Sequence, residues 1–146
     1  MSTLSELEHD VRELARMVFM LRGTVPPTFV VFADEAMWSL QVLDPEDRDA
    51  AIGVVRQLIR EHDGDAVALF SYGSSVIRGV RDPAPTGPVM REKDNFRCLF
   101  VYVETREGKR VSMAPVKNGQ PGEWVTDPRM LLVPLRVPEF FGHMRN

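Results

Sequence analysis

Apolar and polar positions divide the chain into two helical and five extended stretches. Residues 95–116 carry the strongest extended pattern. Phe96, Cys98, Phe100 and Tyr102 fall on one face of an extended chain, with Leu99, Val101 and Val103 on the other. Both faces are apolar, as in a strand covered on two sides. Residues 104–109 supply polar turn residues around Gly108. The chain then resumes with Val111 and Met113 on one face and Ala114 and Val116 on the other. This pattern predicts an antiparallel hairpin in the middle of a sheet.

Residues 3–22 read as an amphipathic helix, with Leu4, Leu7, Val11, Leu14, Val18 and Leu21 recurring at steps of three and four. Thr3 with Glu6, or Ser5 with Glu8, offers a capping box. Gly23 after Arg22 suits the helix end. The stripe has two possible uses. It can lie on the sheet of its own chain, or, because it is as regular as a coiled-coil seam, Leu7, Val11, Leu14 and Val18 can pair with a second copy. Val25-Pro26-Pro27 breaks the helix into extended chain. Residues 28–33 and 36–43 then predict a second hairpin around Asp34-Glu35, with Trp38, Leu40 and Val42 on one face and Met37, Ser39 and Gln41 on the other.

Asp44-Pro45-Glu46-Asp47 reads as the start of a second helix, capped by Asp44 and ending near His62-Asp63-Gly64. Its stripe is Ala51, Val54, Val55, Leu58 and Ile59. Residues 65–72 predict a strand and 73–94 a long Gly- and Pro-containing loop. Residues 117–122 are turn-rich, Asp127-Pro128 can open a helical turn, and 131–135 can form a last strand. Phe140-Phe141 read as an anchor for the end of the chain. The whole predicts one α+β domain over residues 1–146. Its sheet is mainly antiparallel and five-stranded, with two main helices, in the order α-β-β-α-β-β-β.

Composition narrows the function classes. The net charge of −3 gives no basic excess for a nucleic-acid partner. A single cysteine, Cys98, excludes an internal disulfide and suits a reducing compartment. Residues 1–10 are acidic, unlike a signal peptide. No apolar run reaches the roughly 20 residues that span a bilayer. The expectation is a soluble cytoplasmic protein without cofactor or metal.

Glu6, His9, Asp10 and Glu13 share a helical face at di-metal spacing, but no other helix supplies matching acids, so a solvated face is the better reading. His62 reads as a helix-end residue, and Cys98 as core. The Ser71-Tyr72-Gly73-Ser74-Ser75 turn matches neither a phosphate-binding loop nor a nucleophile elbow. Arg78, Arg81, Arg91, Lys93 and Arg97 make a basic patch, offset by Asp82, Glu92 and Asp94.

Pro88, Arg91-Glu92, residues 100–104, Gly108, Pro115, Gly119 and Gly122-Glu123-Trp124 resemble small uncharacterised α/β proteins of bacterial and phage genomes. That resemblance implies a microbial accessory role and no activity. The element order is also similar to that of profilin-like domains, which implies no function.

These readings converge on a non-enzymatic binding or accessory module that self-associates as a homodimer or joins another protein. The expected contacts are Tyr72, Ser74, Ser75, Arg78, Arg81, Arg91 and Trp124. The rival is a small hydrolase or ligand-binding enzyme, using Ser74 or Ser75 with a histidine (His62 or His9) or a carboxylate brought near by folding. A third reading is weak nucleic-acid contact through the loop arginines.

Overall fold

A computed structural model describes residues 3–34, 36–42, 45–76, 95–125 and 140–141. The fold is built on one antiparallel sheet with a helix on each face. In chain order the elements are α1 (Leu4–Arg22), β1 (Thr28–Ala33), β2 (Ala36–Gln41), a 3-10 turn (Pro45–Asp47), α2 (Arg48–His62), β3 (Ala66–Val76), β4 (Asn95–Thr105), β5 (Gly108–Lys117) and β6 (Gln120–Pro121). The strands lie in the order β2-β1-β3-β4-β5-β6. The α+β class and the succession α-β-β-α-β-β-β of the two helices and first five strands agree with the sequence reading.

The sixth strand is a correction. The turn-rich stretch after β5 is a tight hairpin in which Asn118 (φ 53°) and Gly119 (φ 72°) reverse the chain. Asn-Gly is the pair that tolerates two successive positive φ values. Lys117 and Val116 then pair with Gln120 and Pro121.

A second correction concerns residues 73–76, which extend β3. Gly73, Ser74, Ser75 and Val76 pair with Cys98, Arg97, Phe96 and Asn95. Small and polar residues there give no alternation of period two, so the strand looks like loop in the sequence.

Helix α1 starts as the capping pattern predicts. The Thr3 hydroxyl accepts the Glu6 N–H at 3.1 Å, and Gly23 (φ 73°) donates its N–H to the Phe19 carbonyl at 2.7 Å. Its buried face is rotated from the expected seam. Leu7 and Val11 are buried, but Glu8, Ala15 and Phe19 complete the face and Leu21 is 78% exposed. A 3.5-residue repeat slips around a straight helix by about 20° per heptad. Over the length of α1 that moves Leu21 off the sheet.

Leu7 and Val11 pack in one core cluster with Val30, Ala68, Phe70, Leu99, Val101, Val103 and Ala114, flanked by Leu14 and Val18. The expectation that Leu7, Val11, Leu14 and Val18 form a pairing seam is therefore corrected. These side chains meet the sheet of their own chain.

The opposite face carries α2. Ala51 and Val55 lie with Phe29, Val31, Val67, Leu69, Tyr102, Phe140 and Phe141 in the second cluster. The helix begins three residues later than the Asp-Pro signal suggests, because Pro45–Asp47 forms the 3-10 turn. Ile52, not Val54, joins the stripe, and Val54 is exposed.

Cys98 is buried, as expected of a core position. Glu104, expected in the turn, lies in β4 and is the most deeply buried charged side chain described (0% exposed). Its Oε1 accepts the Tyr102 hydroxyl at 2.8 Å and the Phe140 N–H at 2.9 Å, and its Oε2 accepts the Phe141 N–H at 2.8 Å. Burial of a carboxylate is tolerated when donors surround it. Phe140 and Phe141 are thereby clamped to the sheet, which supports reading them as an anchor. Asp127-Pro128 and residues 131–135 lie outside the described residues.

Candidate interaction site

The sequence candidates among the described residues do not assemble into one site. Tyr72 is half-buried against the last turn of α1, its ring 4.8 Å from that of Phe19, with the Arg97 guanidinium 6.0 Å from its centroid. Ser74 and Ser75 occupy paired strand positions rather than a turn. Arg78, Arg81 and Arg91 lie outside the described residues. Trp124 sits elsewhere on the α1 face, beside the Met113–Val125 bridge, with the Arg12 guanidinium 5.4 Å from its ring centroid.

Arg12 belongs to a polar cluster that joins α1 to β5. Its Nε donates to the Ser112 hydroxyl at 3.1 Å, and its guanidinium lies 3.3 Å from Glu8 Oε1. Arg110 approaches the same oxygen at 3.7 Å. Glu8 Oε2 is buried with no hydrogen-bond partner among the described residues. Both guanidiniums lie against Oε1 of this carboxylate, and the Arg12–Ser112 and Glu8–Arg110 contacts tie the helix flank to the sheet. The cluster reads as structural.

The geometry that a serine hydrolase needs is not found among the described residues. His62 stacks on Trp38, with centroids 4.0 Å apart and planes at 20°. Trp38 is level with Val31 and, through it, Val67. Ser74 lies seven residues further along β3, roughly 23 Å away at about 3.3 Å per residue. His9 is exposed and ten residues before Phe19, roughly 15 Å along the helix at about 1.5 Å per residue. His143 lies outside the described residues. Among the described residues, no group of three His, Cys, Asp or Glu side chains is placed to hold a metal ion. Glu6, His9, Asp10 and Glu13 are all exposed. No described helix is long and apolar enough to cross a membrane.

The feature that sequence reasoning did not single out is the outer edge of β2. The two edges of the sheet differ. At one, β5 is followed by the two-residue β6, which contains Pro121, and by the Val125 bridge to Met113. Short strands and proline are common ways to blunt an edge. At the other, β2 (Ala-Met-Trp-Ser-Leu-Gln) has no charge, no proline and no glycine. It pairs with β1 through six consecutive residue pairs without a bulge. Among the described residues nothing pairs with its far side.

Hydrogen-bond alternation tells which backbone groups face outward. The Val42 N–H donates to the Pro27 carbonyl at 2.8 Å, so position 42 faces β1. The Phe32 carbonyl accepts the Asp65 N–H at 2.9 Å, so Phe32, opposite Met37, turns toward β3. Residues that bond to a neighbouring strand alternate with residues that do not. Leu40 and Trp38 therefore bond to β1, whereas Met37, Ser39 and Gln41 direct their N–H and C=O groups away from the sheet. Their side chains are exposed too, Met37 by 63%. Trp38 and Leu40 are half-buried on the α2 face. The one cue to this edge in the sequence is a short uncharged strand of alternating exposure. Its place at the rim depends on β1 pairing with β3, a contact between distant residues.

No protein-family model, curated protein or solved structure matches this chain.

Proposed function

We propose that this chain is a non-enzymatic binding module that accepts an extended segment of another protein chain as an added strand along β2. The observation that carries the reading is the outer edge of β2, where Met37, Ser39 and Gln41 present three N–H and C=O pairs with no charge, proline or bulge among them. Strand addition draws its affinity from such main-chain bonds and its selectivity from alternate side chains. Here Trp38 and Leu40 offer apolar contact on one face of the added strand, and Met37, Ser39 and Gln41 a mixed surface on the other.

Ser39→Pro tests the reading cleanly. The Ser39 N–H faces away from β1, so proline removes an outward donor and leaves the β1–β2 bonds intact. Extended peptides selected from a displayed random library on the parent protein should bind Ser39→Ala equally and Ser39→Pro at least tenfold more weakly. A selection that yields no binder overturns the proposal. So do peptides that bind all three proteins alike.

A further inference from the structure

We infer that the strand added to β2 is β2 of a second copy, related by a two-fold axis through Ser39. This rests on the strand-addition reading and adds the identity of the partner. The outward-facing residues are spaced symmetrically about Ser39, so an antiparallel copy meets them in register. Met37 falls opposite the second copy's Gln41, Ser39 opposite its own equivalent, and Gln41 opposite the second copy's Met37. All three are bonded pairs, each exchanging two N–H···O=C bonds, as an isologous interface requires.

The side chains agree with the backbone. On the α2 face Trp38 lies opposite the second copy's Leu40, and Leu40 opposite the second copy's Trp38, so apolar surface meets apolar surface twice. No charged residue lies opposite another, since β2 contains none. Other registers keep fewer bonded pairs within β2, since an axis through Trp38 or Leu40 keeps two of the three. Shifting the axis to Gln41 sets Met37 opposite Pro45, which has no N–H. Shifting it to Met37 sets Gln41 opposite Ala33, which already lies across the turn in β1. The paired sheet would run without interruption through both copies, and the α1 helices would lie together on one side of it.

Sedimentation of the parent over a concentration series should show a monomer–dimer equilibrium, with the dissociation constant raised at least 100-fold by Ser39→Pro and unchanged by Ser39→Ala. Hydrogen exchange should show the Ser39 amide protected in the parent dimer. The axis itself is tested by crosslinking. Bonded antiparallel pairs place Cα atoms about 5.5 Å apart, within disulfide reach. Oxidised Ser39→Cys should therefore form a covalent dimer. Gln41→Cys alone should not, because its equivalent lies roughly 13 Å away. A mixture of Gln41→Cys with Met37→Cys should. The native Cys98 is buried and stays out of the reaction.

A parent that stays monomeric throughout overturns this inference, while peptides selected on that parent and compared on Ser39→Pro still decide strand addition separately. A dimer that survives Ser39→Pro, with a freely exchanging Ser39 amide, also overturns it. If Ser39→Pro does not fold, exchange at Ser39 and the cysteine series decide the matter.

Discussion

Removing the Glu104 carboxylate should release the end of the chain before it unfolds the sheet. In Glu104→Leu the Tyr102 hydroxyl and the N–H groups of Phe140 and Phe141 lose their acceptor. A buried donor left unsatisfied costs about 1–3 kcal/mol, so retaining all three in place would cost about 3–9 kcal/mol. Undocking the Phe140-Phe141 segment instead exposes two phenylalanine side chains, at about 1.5–3 kcal/mol each, or about 3–6 kcal/mol together. The cheaper route sets the ceiling. The expected loss is therefore about 3–6 kcal/mol, a large part of the roughly 5–15 kcal/mol of a typical domain. Glu104→Gln keeps the shape and one acceptor but turns an NH2 toward a backbone N–H, for a loss of about 2–4 kcal/mol. Urea unfolding reads both values, and the slope should fall for Glu104→Leu because part of the surface is already exposed. Amide exchange at Phe140 and Phe141 reads the undocking directly. A loss below about 1 kcal/mol, or Phe140 and Phe141 amides as protected as in the parent, would refute the clamp.

Four other substitutions test the packing and the ends of α1. Leu7→Ala should cost about 2–5 kcal/mol and Leu21→Ala less than about 0.5 kcal/mol in the same urea assay. Equal losses would mean that the buried face is not rotated as described. Thr3→Ala should cost about 1 kcal/mol through the lost cap, and an unchanged midpoint counts against the capping bond. Gly23→Ala meets no atom within 4 Å, so its loss of about 1–2 kcal/mol should come from backbone strain at positive φ alone. A neutral or stabilising result would place Gly23 outside the left-handed region.

Local patterns were readable where the cause is local. The bounds of β1, the Thr3 cap and the Gly23 stop all depend on residues within a few positions of one another. Glu104 was misplaced because its donors come from residues 36 and 37 positions away. A charged residue next to Thr-Arg-Glu-Gly looks like turn unless that distant partner is known. The heptad seam misled for a different reason. Its period fits a supercoil, whereas a helix lying on a sheet exposes the drift, so Ala15 and Phe19 replace Leu21 on the buried side. Of the candidate site, the exposure pattern of Met37, Ser39 and Gln41 was legible. The openness of their edge was not, since strand order is set by the pairing of β1 with β3.

The longest strand pair has a practical consequence. All eleven residues of β3 are matched to β4, so the register of these strands is set by their own pairs and not by the length of chain between Val76 and Asn95. Closure entropy grows only logarithmically, and doubling a connection costs about 0.6 kcal/mol. A short epitope tag or a small fluorescent domain spliced between those two residues should leave the sheet register intact. The joint between the strands is thus a natural splice point for a reporter, far along the chain from both helices.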